Sequence, residues 1–248
     1  MKADQPASNL HGKIIVAAIN CRLQLLDVRT LLFWHRRAKS LILKEDWYSL
    51  EVFKRAGIII SVTAWETFIE DVLSVEFAAR LAKTETVEQT KNNFRRIIKA
   101  PIDANRLTTY DLANFSVDDL KGLISNRFNK ELGGLHNPNS KNIRDLSTKF
   151  LGSDLTTNWQ WRKVSSSVAC QKLDTLMKDR GRLAHRNRPF ERILQRQALD
   201  ALNLVQQLVL SSALSLLPPE SFKLVRWYLK DTRSLSEMGL SESASERY

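Results

Sequence analysis

The stretch from Phe53 to Ala79, FKRAGIIISVTAWETFIEDVLSVEFAA, decides the fold class of this 248-residue chain. Its apolar residues recur every three or four positions, which is the spacing of one face of an α-helix. The pattern predicts one long helix over about 45–82. The expected buried stripe of this helix is Phe53, Ala56, Ile60, Ala64, Phe68, Val72, Val75 and Ala79.

A second apolar stripe lies upstream, at Ile14, Ala18, Cys21, Leu25, Val28 and Leu32. Only a short polar link near Lys44 separates the two predicted helices, so they are expected to pack antiparallel. Further helices are expected over about 85–99, 117–132, 140–151, 166–185, 189–217 and 222–230, with Pro189 opening the last long one. The sequence therefore predicts an all-α antiparallel helical bundle. One domain would span 1–230 with a helical insertion at about 101–162, and the Ser- and Glu-rich tail 231–248 is expected to be mobile.

Composition excludes several other classes of protein. Gly and Pro are scarce, at 8 and 6 residues, which speaks against the many tight turns of a β-sandwich. The two cysteines form no cluster, so neither a disulfide scaffold nor a zinc site is expected, and a reducing cytoplasm is the expected compartment. No membrane span is expected either, because the most apolar long stretch, 198–217, contains Asp200, Asn203, Gln206 and Gln207.

Charge points to a polyanionic partner, since the formal net charge is +11. The segment 177–188, MKDRGRLAHRNR, concentrates this charge. Within it Arg180 continues the apolar stripe of Ala169, Leu173 and Leu176, where a leucine would be expected. Such an arginine needs either a structural ion pair, with Glu66 or Asp71 on the second helix, or a functional site. Phosphate-binding loops, nucleophile elbows and zinc signatures are absent from the sequence.

The pair Arg180-x4-His185 resembles the R-x4-6-H motif of HEPN domain ribonucleases. Two further segments, TAWETFIED at 63–71 and LHNPNSKNI at 135–143, resemble regions of the RiboL-PSP branch of HEPN proteins, in the same order along the chain. Arg29-x5-His35 also has the motif spacing, but within a predicted uninterrupted helix, and is interpreted as a surface pair. His136, in its Gly-, Asn- and Pro-rich loop, is interpreted as a turn residue.

The resemblance implies a metal-independent endoribonuclease without a cofactor, plausible as a toxin or phage-defence effector with an antitoxin or other regulatory protein partner. The motif assigns catalysis to Arg180 and His185. An imidazole suits proton transfer at neutral pH, and a guanidinium suits phosphate recognition in the transition state. The neighbouring arginines expected to contact RNA phosphates are Arg182, Arg186 and Arg188.

Residues five apart on a straight helix point about 140° apart, so either Gly181 loosens the helix or two chains share one cleft. The resemblance implies the second arrangement, a homodimer. The sequence departs from the usual motif at Gly181 and Arg186. An alternative therefore stays open, a non-catalytic HEPN-like module that binds RNA or a protein.

Overall fold

The structure is a computed structural model that describes residues 5–98, 115–184, 192–223 and 225. Over these ranges the chain is helical and contains no β-strand, apart from one isolated antiparallel bridge between Trp161 and Val164. The all-α prediction is therefore confirmed. The helices are α1 (Gln5–Lys39), α2 (Glu51–Ala82), α3 (Val87–Asn93), α4 (Arg95–Ile98), α5 (Val117–Gly133), α6 (Ser140–Phe150), α7 (Ser166–Ala184) and α8 (Gln195–Leu216).

Helix α2 is the central element of the bundle. It packs antiparallel along α1, and α7 and α8 also lie against it. Burial therefore differs from the single stripe predicted from the sequence. Phe53, Ala56 and Ile60 are only half-buried. The buried residues are those one position later, Lys54, Gly57 and Ser61. Fully enclosed apolar positions of α2 are Val62, Ala64, Trp65, Phe68, Ile69, Val72 and Leu73.

Two helix starts differ from the sequence prediction. Residues Lys44–Leu50 form a 3₁₀ helix, so α2 begins later than expected. Helix α8 begins at Gln195, and Pro189 lies outside the described residues. The late start of α8 has a tertiary cause, since the Ile193 amide donates to Glu51 Oε2 at 3.0 Å and Leu194 is an extended N-cap residue.

The described part of the predicted insertion shares the core of the bundle. Phe128 of α5 stacks on Phe77 of α2 with ring centroids 3.9 Å apart, and Phe150 of α6 meets both rings edge-on. Trp159 is fully buried, and its Nε1 donates to Ser212 Oγ of α8 at 2.9 Å. The residues 101–114 of the predicted insertion and the predicted tail 231–248 lie outside the described ranges.

The interpretation of Arg29 and His35 as a surface pair is wrong. Arg29 is 8% exposed and His35 7% exposed. His35 follows Leu32 by three positions and so continues the buried stripe of α1. Arg29 faces α8, where its Nη2 donates to Gln206 Oε1 at 3.3 Å.

Helix α8 is long and apolar enough to cross a membrane, with a mean hydropathy of 1.2. The sequence analysis expected otherwise because of four polar residues in this stretch. One face of α8 packs on α1 and α2. The buried residues of that face are Ala198, Ala201, Leu202, Val205, Leu208, Val209, Ser212 and Ala213.

Candidate active site

The last turns of α7 bring a cation onto the face of α2. Ala169, Leu173 and Leu176 of α7 are buried, and Arg180 follows on the same stripe with its side chain 38% exposed. Its Nη2 lies 3.7 Å from Oε2 of Glu66 on α2. Arg180 thus lies at the edge of the core, partly in solvent, with a carboxylate beneath it.

Helix α7 stays helical through Gly181 and is described as far as Ala184. The possibility that Gly181 opens the helix beside Arg180 is therefore not realised in the structure. No heavy atom of the described chain lies within 4 Å of a Cβ built on Gly181, so this position is open.

Glu66 is the inner member of the ion pair, with its side chain 18% exposed. Burial raises the pKa of its carboxyl; the Arg180 charge opposes that rise, and the nearby Glu70 carboxylate adds to it. While Oε2 faces Arg180, the buried Oε1 makes no hydrogen bond within the described ranges. A single guanidinium at 3.7 Å thus compensates only part of the burial of this group.

A second carboxylate continues the same face of α2. Glu70 lies one helical turn beyond Glu66 and is half-buried. Burial raises the pKa of Glu70, the neighbouring Asp71 carboxylate adds to this effect, and attraction from His136 opposes it. His136 is exposed and belongs to the loop between α5 and α6.

Hydrogen bonds hold this loop and the start of α6 against α2 and α7. Trp65 Nε1 of α2 donates to the carbonyl oxygen of Pro138 at 3.1 Å. Asp174 of α7 accepts hydrogen bonds from the amide and the hydroxyl of Ser140, both at 2.8 Å. These contacts anchor the loop that carries His136 beside α2 and α7.

The other residues singled out in the sequence are not gathered at this point. The Arg182 side chain is 60% exposed, and its Nη2 donates to Asp179 Oδ1 at 2.6 Å. Asp71 is exposed and, with Gly12 and Lys13, lines a shallow depression between α1 and α2. It therefore does not support Arg180, whereas Glu66 is placed to do so. His185, Arg186 and Arg188 lie outside the described residues.

Glu70 and His136 were not among the residues selected from the sequence. The spacing of Glu66 and Glu70, four residues apart on a helix, was the available signal for a shared face. The position of His136 depends on a contact between Trp65 and Pro138, which are 73 residues apart, and no local pattern encodes that contact. Among the described residues, no group of three or more His, Cys, Asp or Glu side chains is arranged to hold a metal ion.

The structure so far defines an all-α bundle in which an arginine of α7 lies against a carboxylate of the central helix α2. The family model described as RiboL-PSP-HEPN matches residues 38–215, a span that contains α2 to α7 and nearly all of α8. The chain therefore belongs to the RiboL-PSP-HEPN family. Searches among curated proteins and among solved structures returned no significant match.

Proposed function

We propose that this protein is a metal-independent endoribonuclease whose catalytic residues are Arg180 and His185. The observation that carries the proposal is the placement of Arg180 in a protein of this family: its side chain is 38% exposed, and its Nη2 lies 3.7 Å from the Glu66 carboxylate. A cation held in this way keeps donors free for a phosphate at the surface. The net charge of +11 favours an RNA partner.

The reaction uses the nucleophile that RNA itself carries. The 2′-hydroxyl loses its proton to His185 and attacks the adjacent phosphorus, which gives a 2′,3′-cyclic phosphate and a 5′-hydroxyl. Arg180 stabilises the charge that develops on the non-bridging oxygens. Arg182, Arg186 and Arg188 bind flanking phosphates of the strand.

The active unit in this proposal is a homodimer with a shared cleft. Helix α7 is not opened at Gly181, so a bend there does not help to bring positions 180 and 185 together. On a straight helix these positions point about 140° apart, whereas an arginine of one chain and a histidine of its partner can face the same phosphate. A cytoplasmic toxin or phage-defence effector restrained by an antitoxin or another regulatory protein is the biological role that we propose with this chemistry.

The test is cleavage of bulk RNA in EDTA by the purified wild type and by two variants, Arg180→Ala and His185→Ala. Each variant should lose activity at least about 100-fold while its helical circular dichroism is unchanged. Arg162→Ala, a change at an exposed arginine outside the cluster, is the matched control and should cleave like the wild type. DNA and RNA methylated at the 2′-oxygen should resist cleavage.

Three results would contradict the proposal: a requirement for magnesium, cleavage of DNA, or full activity of His185→Ala. A wild type that binds RNA without cutting it would establish the alternative of a non-catalytic module. A partly exposed ion pair at 3.7 Å should contribute at most about 1 kcal/mol, so Arg180→Ala should stay folded. Unfolding of this variant would show that the pair with Glu66 is structural.

A further inference from the structure

Helix α1 carries a second apolar stripe on the side that faces away from the bundle. Leu25 belongs to its buried stripe, whereas Leu23, two positions earlier, points about 160° away and is 55% exposed. The outer stripe consists of exposed and half-buried residues at steps of three and four positions: Val16, Ile19, Leu23, Leu26, Thr30 and Phe33. Such a repeat, averaging 3.5 residues, is the seam along which one helix packs against another.

The outer stripe has a protruding ring at one end and a depression at the other. Trp34 is 56% exposed and meets the Phe33 ring edge-on, with ring centroids 5.6 Å apart. The depression between α1 and α2 adjoins the other end and has a volume of about 460 Å³. It is lined mostly by small side chains, among them Gly12, Ala17 and Ser74, and is large enough for an indole ring.

Trp34 and the depression are placed symmetrically about the middle of the outer stripe. The midpoint between Leu23 and Leu26 lies about nine residues, or about 14 Å along the helix, from Trp34 and from the section 12–20 that lines the depression. Trp34 and Asn20 point only about 40° apart around α1, so they lie on the same flank of the stripe. An antiparallel helix pair brings equal flanks together, so a two-fold axis through the midpoint lays Trp34 of each chain over the depression of the other.

The distribution of charge favours a second copy over other partners. The outer stripe contains no charged residue, and the only Asp, Glu, Lys or Arg residues within 14–35 are Arg22, Asp27 and Arg29, of which Arg29 faces α8. Two chains of net charge +11 repel each other, so they approach best where their surfaces carry little charge. An anionic membrane or an acidic protein would be attracted to basic surface instead.

We propose that the outer stripe of α1 binds a second copy of this chain in an antiparallel helix pair, with Trp34 of each copy seated in the depression of the other. This contact is separate from the shared cleft proposed above. Glu66 pairs with Arg180 of α7, whereas Asp71, about 140° further around α2, lines the depression. The inference therefore does not rest on RNA cleavage, and a closed assembly that uses both two-fold contacts would contain four chains.

Sedimentation velocity over a micromolar concentration series tests the pairing. Leu23→Glu places a charge in the middle of the stripe, at a residue that is already exposed, and should halve the number of chains per particle. Trp34→Ala should weaken the association at least about 10-fold. Gly12→Phe should do the same by filling the depression, since a Cβ built on Gly12 meets no heavy atom of the described chain within 4 Å. Val168→Glu, at an exposed apolar residue of α7, is the matched control and should associate like the wild type.

Crosslinking tests the antiparallel direction, in which Val16 faces Phe33 of the other copy. A short bismaleimide should join the two variants Val16→Cys and Phe33→Cys when they are mixed, because the native Cys21 and Cys170 are buried. Neither variant should crosslink alone, since the two copies of position 16 lie about 25 Å apart along an antiparallel pair.

Three results would overturn the pairing: a monomeric wild type, a Leu23→Glu variant that associates like the wild type, or crosslinking of Val16→Cys to itself. Binding of wild-type monomers to anionic vesicles, lost in Leu23→Glu, would assign the stripe to a membrane and overturn it as well. Leu23→Glu should cleave RNA like the wild type, because the cleft is separate. A wild type that associates through α1 but cuts no RNA would overturn the proposed function alone.

Discussion

Arg180 shows how a single residue can depart from the pattern of its helix. The stripe of α7 is apolar at Ala169, Leu173 and Leu176, and a fourth apolar side chain would extend the core by one turn. Arg180, with 38% of its side chain exposed, does not bury that apolar area. Since a leucine buried there would contribute roughly 1.5–3 kcal/mol, this position is not optimised for stability. The charged side chain of Arg180 is partly exposed to solvent instead.

His35 is a second polar residue on an apolar stripe, and its environment is different. It is 7% exposed, and its Nδ1 makes no hydrogen bond within the described ranges. Burial is the main reason that the pKa of His35 is lowered from 6.5 to about 4. The positive charges of Lys54 and Lys39 lower it further, and Arg36 adds a smaller lowering. The negative charge of Glu51 opposes this shift. The folded protein therefore holds His35 neutral over a range in which an unfolded chain protonates it.

We predict that this histidine destabilises the protein in acid. Between about pH 6.5 and pH 4 the unfolded chain binds the proton more readily than the folded one, so stability falls as the pH falls. The loss approaches about 3 kcal/mol at the low end. Urea unfolding followed by circular dichroism should show a shallower fall for His35→Gln than for the wild type.

An NMR titration of the wild-type imidazole provides a second measurement for the case in which His35→Gln does not fold. A His35 resonance that titrates near its ordinary value of 6.5 would contradict the prediction. Parallel stability curves for wild type and variant would contradict it as well.

At the scale of elements, two glycines at the ends of helices have opposite requirements. Gly181 lies within α7, and a built Cβ meets no heavy atom of the described chain within 4 Å. Gly152, just beyond α6, has φ of +74°, and a built Cβ would lie 2.7 Å from Arg80 Nη2. That guanidinium is engaged, since it donates to the Leu151 carbonyl and lies 6.0 Å from the Phe94 ring centroid.

The two glycines form a matched pair of alanine substitutions. Gly181→Ala should stabilise the protein by about 0.5–1 kcal/mol, because alanine restricts the unfolded chain and favours the helix. Gly152→Ala should destabilise it by about 1 kcal/mol or more, because the left-handed backbone disfavours a Cβ and Arg80 must move. Urea midpoints measure both changes. Two shifts of the same sign would contradict the opposite requirements of these two positions.

The elements also show which parts of the fold the sequence encodes locally. The periods of α1 and α2 and the Ser140 helix start are local patterns, and they were predictable. The late start of α8 was not, because Ile193 is held by Glu51 from 142 positions upstream. Likewise, an ion pair of Arg180 with Glu66 or Asp71 was one of two alternatives that the sequence left open, and the choice of Glu66 required the packing of α7 on α2.

At the scale of the whole molecule, we expect a functional site that a single chain does not complete. Arg180 of α7 and Glu66 of α2 are paired within one chain, whereas His185 lies outside the described ranges. In the proposed dimer each cleft takes Arg180 from one protomer and His185 from its partner. This arrangement makes the activity depend on association, which can be tested without a structure of the dimer.

Complementation between two inactive variants tests the shared cleft. Arg180→Ala and His185→Ala should each be inactive, but a heterodimer of the two has one cleft with both native residues. Random reassociation of an equal mixture makes half of the dimers heterodimers, so activity should recover to about a quarter of the wild-type level. Mixing Arg180→Ala with the double variant Arg180→Ala/His185→Ala is the control and should restore nothing. Heterodimers that are present by light scattering and native mass spectrometry but inactive would place Arg180 and His185 of each site in one chain, and an active monomer would exclude the dimeric cleft.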